Sequence, residues 1–347
     1  MTRQRQAVAL ISGGLDSMLA ARLILAQGIH VEGINFFTGF CVEGHTHAIR
    51  NHHQRKPKRN NALWVAEQLG IRLHIIDVIE EYRDVVINPK HGYGANLNPC
   101  LDCKAFMVGK ARQWMEEHGF DFIITGEVIG QRPKSQRRDT MPVVARESGA
   151  FDRLLRPLCA KRLEPTLAER EGWVDREKLL GLHGRNRKPQ MALARELGIS
   201  DYAQPAGGCC FLTDRHYALK LRDLWRTRGH KRYDLDDIML LKVGRHLRPR
   251  PHFKVIVGRD DGENNFLSGY RRRFAHLYPI SHKGPLVLVS GEAGGDDLQL
   301  AARLAARFSQ GRDSEEVTVA VNDGHGNGQM LTVRPLTADE IPATWYL

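Results

Sequence analysis

Residues Ala7-Val8-Ala9-Leu10-Ile11, followed by Ser12-Gly13-Gly14-Leu15-Asp16-Ser17, decide how the first half of this chain is read. A short apolar run breaks into small residues, and an apolar helical pattern resumes from Met18 to Leu25. The pattern predicts a buried strand that turns tightly into a helix. That geometry leaves backbone N–H groups and hydroxyls facing whatever sits above the helix N-terminus. Gly13 and Gly14 permit positive φ or a close approach of backbone to an anion. Ser12 and Ser17 add hydroxyl donors. Asp16 would repel a bare phosphate, so it suits a place beside Mg²⁺ or beside a group that must be oriented. Gly-Gly and Ser also make ordinary strand-to-helix turns, and composition alone leaves that simpler reading open.

Working outward, Val31 to Phe37 is predicted as a second strand ending near Thr38-Gly39. Open α/β sheets bind ligands at the carboxyl ends of their strands, where Phe36 and Phe37 fall. One of the two is expected to be core, and Phe36 is assigned to the nucleotide. Residues 41 to 60 carry Cys41, His45, His47, His52 and His53, then Arg55, Lys56, Lys58 and Arg59, with little apolar periodicity. A basic loop over the active face is favoured there, since the spacing matches no strong zinc pattern. Asn61 to Leu69 is predicted helical, Ile71 to Val78 a strand, Cys103 to His118 a helix and Phe120 to Thr125 a fourth strand closed by Gly126. Alternating strands and helices of this kind argue a mostly parallel sheet with helices on both faces.

Between the third and fourth strands lies Asn98-Pro99-Cys100-Leu101-Asp102-Cys103-Lys104. Pro99 stops any preceding regular element, and the second cysteine falls where a helix begins. Thiolates there are stabilised by exposed N–H groups and by Lys104. Two cysteines three apart suit a shared metal or cluster, or a redox pair. Further on comes Gly207-Gly208-Cys209-Cys210-Phe211. Two adjacent cysteines cannot both point inward from one regular element, so at least one has another environment.

The chain has 347 residues and a formal net charge of +11, which suits a polyanionic partner such as nucleic acid. The densest basic run, containing Arg132, Lys134, Arg137 and Arg138, follows the fourth strand without apolar spacing. A second, containing Arg185, Arg187 and Lys188, precedes a helix predicted from Met191 to Leu197. Both are read as phosphate or RNA contacts, with a solvated surface as the simpler alternative. After Tyr217 to Leu224, predicted helical, the character changes. Ile238 to Val243, Phe253 to Val257, Leu286 to Val289 and Val317 to Val321 are predicted as short strands, with a helix from Leu298 to Phe308. This is a small α+β domain whose boundary falls within 225 to 237, giving domains 1–225 and 238–347. Lys242 to His246 and Arg271 to Arg273 are RNA contacts or plain surface. No secretory signal precedes the first strand and no run approaches a membrane span, so the expected compartment is the cytosol.

Ser-Gly-Gly-Leu-Asp-Ser after a strand resembles the PP-loop of the N-type ATP pyrophosphatases. The PP-loop, Asn98-Pro99-Cys100-x-x-Cys103-Lys104, Thr125-Gly126-Glu127 and Gly207-Gly208-Cys209-Cys210-Phe211 stand in the order seen in PP-loop tRNA-uridine thiolases of the 2-thiouridylase and 4-thiouridine-synthetase group. The likeness covers about residues 5 to 215, and the tail resembles, more weakly, a small RNA-binding module. It implies a Rossmann-like α/β PP-loop domain plus a small C-terminal α+β domain. It also implies ATP with Mg²⁺ over Ser12, Gly13, Gly14, Asp16, Ser17, Phe36 and Gly126, and tRNA as a partner. The sulfur donor it implies is a cysteine desulfurase or sulfide; a homodimer is left open and no membrane is expected. Asp16, Cys103, Cys209 and Cys210 are then the catalytic residues of a reaction that adenylates a uridine oxygen and replaces it with sulfur.

Two cysteine chemistries follow from the resemblance. In one, Cys210 in its Gly-x-Cys-Phe setting carries a persulfide and Cys103 in its Asn-Pro-x-x-x-Cys setting releases the sulfur through a disulfide. In the other, Cys100, Cys103 and Cys209 or Cys210 hold a [4Fe–4S] cluster with one open iron. The additional Cys100 favours the cluster. The competing functions are a PP-loop ligase or amidotransferase on another substrate and a non-catalytic RNA-binding protein.

Overall fold

The computed structural model describes residues 3–42, 59–203, 210–323 and 327–347. His45, His47, His52, His53, Arg55, Lys56 and Lys58 of the basic loop, and Cys209, lie outside the described residues. The chain divides into two compact units, one running to Thr213 and the next beginning at Asp214. The boundary expected at 225 to 237 lies downstream of this division.

The first unit is built on five parallel strands: β1 (Gln6–Leu10), β2 (His30–Phe37), β3 (Leu73–Asp77), β4 (Phe122–Ile124) and β5 (Leu154–Leu155). They stand in the order β3-β2-β1-β4-β5, every neighbouring pair parallel. Ala7, Val8 and Ala9 of β1 are fully buried, as are all three residues of β4, because helices cover both faces of these strands. The helices are α1 (Leu15–Leu25), α2 (Asn61–Leu69), α3 (Ile79–Ile87), α4 (Cys100–Glu117), α5 (Thr140–Glu147), α6 (Leu167–Arg170) and α7 (Lys188–Glu196). α2 has the bounds the sequence predicts, because Asn60 caps it, accepting from the N–H groups of Ala62 and Leu63, and Gly70 ends it in the left-handed conformation. The strand order reverses at β1. Ligand clefts in such sheets open at that point, beyond the carboxyl ends of the strands.

In the second unit, α8 (Arg215–Arg228), α9 (Leu235–Leu240), α10 (Asp261–Ser268) and α11 (Gly295–Arg307) accompany an antiparallel sheet. Its strands are β6 (Arg245–Arg250), β7 (Phe253–Val257), β8 (Ala275–Pro279), β9 (Val287–Gly291), β10 (Val317–Asn322) and β11 (Gly328–Val333), in the order β11-β10-β8-β9-β7-β6. Buried Ala301, Ala302, Leu304, Ala305 and Ala306 of α11 pack with the strand residues Val255, Val257, Leu277, Val319 and Val321. The separate parallel α/β and antiparallel α+β parts match the fold class read from the sequence.

One element is a correction. Residues 238 to 243, expected as a strand, lie in α9 and the turn after it. Asp234 accepts the Asp237 N–H at 2.7 Å and the Asp237 carboxylate accepts the Asp234 N–H at 3.0 Å, a reciprocal cap that starts a helix.

Candidate active site

The turn after β1 carries the site's first component. Gly13 adopts φ +78°, and a Cβ there would come within 2.8 Å of the Asn61 Cβ and 2.9 Å of the Ala62 nitrogen, so only glycine fits between the turn and α2. Ser17 is buried. Its hydroxyl donates to the Gly14 carbonyl at 2.8 Å and accepts the Ser12 N–H at 3.3 Å, while the Ser12 hydroxyl donates to it at 3.3 Å. Ser17 therefore shapes the loop from within. Gly14 is the N-cap of α1 and no side chain caps it, which leaves the helix N-terminus available to an anion.

Asp16, in the first turn of α1, is held from two distant segments. Gln131 Nε2 donates to its Oδ2 at 2.6 Å and Arg187 Nη2 to the same oxygen at 3.3 Å. Gln190 Nε2 in turn donates to Gln131 Oε1 at 3.0 Å, fixing the amide that holds the carboxylate. The other carboxylate oxygen, Oδ1, is buried and lacks a hydrogen-bond partner. An oriented carboxylate with one unengaged oxygen fits a hard divalent cation.

After β4 the chain passes hard against the same helix end. A Cβ on Gly126 would lie 2.5 Å from the Asp16 carbonyl and the Ser17 nitrogen, so glycine is required for this approach. Glu127 follows, fully buried. Arg156 Nε donates to its Oε2 at 3.1 Å and the Thr125 hydroxyl to the same oxygen at 3.0 Å, and Oε1 is left without a partner. Burial pushes the Glu127 carboxyl up, but the charges of Lys104 and Arg156 and the two hydrogen bonds outweigh it and hold the group below its ordinary value. Phe36 is buried in the sheet, while Phe37 beside it is half-buried.

The cysteines divide by neighbour. α4 begins at Cys100, three residues before the predicted start, which puts Cys100 and Cys103 together in its first turn. The Cys100 thiol donates to the Ser135 hydroxyl at 3.2 Å. Cys103 instead bonds to the hydroxyl of Tyr82, a side chain on α3 that is 1% exposed. Burial first, and then the adjacent thiols of Cys103, Cys210 and Cys41, drive the Tyr82 hydroxyl well above its ordinary pKa. Three cysteines from distant segments thus share one buried neighbour. Among the described residues no three His, Cys, Asp or Glu side chains are grouped to hold a metal ion. Cys100 faces Ser135 and Cys103 faces Tyr82, and Cys209, one of the two cysteines expected to complete a cluster, lies outside the described residues. Cys159, the remaining described cysteine, is buried, and that burial pushes its thiol up to about 11.

The basic residues singled out in the sequence have several fates. Arg187 holds Asp16. Arg137 is paired with Asp139 at 2.8 Å, and Arg138 donates to the Arg162 carbonyl at 3.2 Å. Arg185 and Lys188 are exposed, and Arg132 and Lys134 half-buried. In the second unit, Arg245, Arg259, Lys283, Arg307 and Arg312 line a cavity of about 480 Å³, against Asp260 and Asp261. His246 is buried, whereas Arg273 is exposed and paired with Asp236 at 2.9 Å. Gln131, Gln190, Arg156, Tyr82 and Cys41 enter the site without having been singled out for it in the sequence. Gln131, next to Arg132, carries no signal of its own, and Cys41 was visible only as part of a basic run.

Residues 5–144 match the family model described as the tRNA methyl transferase HUP domain, and residues 244–346 match the NFACT protein RNA binding domain. The tRNA-specific 2-thiouridylase MnmA of Pelobacter propionicus is 34% identical over 122 residues, which are 33% of this chain and 31% of that protein. That of Pseudomonas putida is 26% identical over 214 residues, 60% of this chain and 52% of that protein. A solved 4-thiouridine synthetase–RNA complex with bound ATP is 25% identical with a TM-score of 0.34, covering 44% of this chain and 36% of that one. The chain spans about a third of the length of the first of these curated relatives. No helix among the described residues is long and apolar enough to cross a membrane. The sequence matches, the parallel sheet and the glycine-built turn at Ser12 to Ser17 agree: the first part of this chain is a PP-loop ATPase domain of the HUP type, related to the tRNA 2-thiouridylases.

Proposed function

We propose that the chain is an ATP-dependent tRNA-uridine sulfurtransferase working by a persulfide route. The observation that carries this reading is that Cys103, which bonds to the buried Tyr82 hydroxyl, and Cys210, whose charge acts on the same hydroxyl, come from distant segments of the unit that also holds the PP-loop. Domains that merely bind ATP have no need of thiols brought together from such distant segments. ATP is placed over Ser12 to Ser17, its phosphates facing the uncapped N-terminus of α1. Asp16 would hold Mg²⁺ through its unengaged oxygen, and the ion would supply charge neutralisation at the phosphates.

The uridine carbonyl oxygen attacks the α-phosphorus and pyrophosphate leaves. The terminal sulfur of a persulfide on Cys210 then attacks the adenylated ring carbon, and AMP leaves with the former carbonyl oxygen. A second thiol releases the product by forming a disulfide with Cys210. Exposed Arg185 and Lys188, half-buried Arg132 and Lys134, and the arginine-lined cavity of the second unit would contact tRNA phosphates. The sulfur donor in this reading is a cysteine desulfurase, whose own cysteine persulfide passes its outer sulfur to the Cys210 thiolate and is left as a thiol.

The test uses the purified full chain with ATP, Mg²⁺, unmodified tRNA, cysteine and a cysteine desulfurase, followed by mass spectrometry of the digested nucleosides. A thiouridine that requires ATP and is lost in Cys210→Ser is the expected result. ATP cleavage with tRNA but no thionucleoside, or with full activity retained in Cys210→Ser, would overturn the reading in favour of a PP-loop ligase.

A further inference from the structure

Cys41 lies just past the carboxyl end of β2. It is half-buried, and it forms an isolated antiparallel bridge with Cys210. The register of that bridge is informative. The Phe211 N–H donates to the Phe40 carbonyl at 3.0 Å, so the backbone bond runs between the residues flanking the cysteines. Cys41 and Cys210 therefore occupy a non-hydrogen-bonded pair, the narrow position of an antiparallel ladder, where Cα atoms lie about 4.5 Å apart and side chains leave the same face. Disulfides span Cα separations of about 4.4–6.8 Å, so this is a position from which two thiols reach each other without backbone movement.

Each thiol has a polar neighbour. The Leu212 N–H donates to the Cys210 sulfur at 3.4 Å. The Cys41 sulfur lies 3.5 Å from the Thr38 hydroxyl. Cys103 is engaged differently, bonded to the Tyr82 hydroxyl from the first turn of α4. Of the two thiols that accompany Cys210 around Tyr82, only Cys41 is joined to it in a strand bridge.

We infer that Cys41 is the resolving thiol of the sulfur-transfer site, forming a cross-strand disulfide with Cys210. The inference rests on the sulfurtransferase reading and assigns to Cys41 the release step that the family resemblance assigns to Cys103. After AMP has left, the uridine is joined to Cys210 through a disulfide. The Cys41 thiolate attacks the Cys210 sulfur. The bond between that sulfur and the uridine sulfur breaks, its electron pair leaves with the thiouridine, and the thiouridine takes up the proton given up by Cys41. The Cys41–Cys210 disulfide is the oxidised product, and a small dithiol reductant restores both thiols by exchange.

The experiment has two arms on the full chain. In the first, wild-type protein without tRNA is equilibrated with oxidised and reduced glutathione, alkylated, digested without reduction and sequenced by mass spectrometry. A Cys41–Cys210 linked peptide, absent in Cys41→Ser and retained in Cys103→Ser, is expected. A Cys103–Cys210 or Cys41–Cys209 linkage in its place, or a Cys41 that stays alkylated throughout, would overturn the inference. In the second arm, a single turnover with ATP, tRNA and persulfide-loaded protein is stopped and run without reductant. Cys41→Ser should accumulate a protein–tRNA adduct that dithiothreitol releases. Its release by external thiol should be at least about 100-fold slower, because a preset neighbour has been replaced by a bimolecular reaction. Accumulation in Cys103→Ser but not in Cys41→Ser would return the role to Cys103. Formation of the Cys41–Cys210 bond in a protein that makes no thionucleoside would count against the sulfurtransferase reading alone.

Discussion

Asp16→Ala should lower tRNA-dependent pyrophosphate release by about 10²–10³-fold, the usual loss when one preorganised electrostatic group is removed from a reacting centre. The carboxylate is oriented from outside its own helix, by Gln131 and Arg187 on one oxygen, and its other oxygen has no protein partner. Such an arrangement does little for stability that a simpler residue could not do. Losing an acidic residue from the first turn of α1 costs less than about 1 kcal/mol. The expected pattern is therefore an inactive protein with a nearly unchanged urea midpoint. Asp16→Asn keeps a carbonyl for Gln131 and removes the charge. It should be close to Asp16→Ala in rate, because the missing function is the negative charge facing a cation. Near-normal pyrophosphate release by Asp16→Asn would mean that Asp16 acts by hydrogen bonding alone.

The second large effect concerns stability beside the same loop. Glu127 and Arg156 form an ion pair whose side chains are 2% and 6% exposed. Arg156→Met removes the cation and leaves the carboxylate desolvated, with the Thr125 hydroxyl still bonded to it and the Lys104 charge still near. Breaking one side of a buried pair costs about 3–5 kcal/mol, and that is the expected loss in urea unfolding at neutral pH. Converting both partners, in Glu127→Gln with Arg156→Met, should recover most of it, because no uncompensated charge remains.

The pH dependence has a definite sign. The folded wild type holds the Glu127 carboxyl below its ordinary value of 4.5. Its contribution is therefore fully present above that value and is lost as pH falls through the folded pKa. In Arg156→Met the penalty should shrink as the medium is acidified, since protonating Glu127 removes the stranded charge. A loss below about 1 kcal/mol that is independent of pH would place the pair among exposed ion pairs and contradict its burial.

The parts of the first unit that were legible in the sequence are those written in short-range code. β1, β2, α1 and α2 follow from apolar runs bounded by glycine and from the Asn60 cap. Elements without that code were missed. α3 buries Ile79, Tyr82 and Val86, but Glu80, Glu81 and Asp84 interrupt the pattern, and β5 is two residues long. Strand β6, Arg-His-Leu-Arg-Pro-Arg, is too charged to resemble a strand. Residues 238 to 243 were misread because a short apolar run fits strand and helix alike, and the reciprocal Asp234 and Asp237 cap decides between them.

The site divides the same way. Gly13, Asp16, Cys103, Gly126 and Cys210 stand in local motifs. The partners that orient them do not, because their pairings cross long stretches of chain. Arg187 reads as a phosphate contact by composition, yet it meets an aspartate 171 residues away. Tyr82 reads as nothing in particular, yet its hydroxyl bonds to Cys103 and feels the charges of Cys210 and Cys41.

In the proposed reaction ATP activates the uridine oxygen that sulfur then replaces. The most direct measurement uses tRNA carrying ¹⁸O at the uridine carbonyl groups, incubated with the full chain, ATP, Mg²⁺ and a persulfide donor, with mass spectrometry of the AMP formed. Attack by the carbonyl oxygen on phosphorus, followed by carbon–oxygen cleavage, predicts AMP that has gained one ¹⁸O for each thiouridine made. AMP without the label, alongside thiouridine or alongside none, would contradict it.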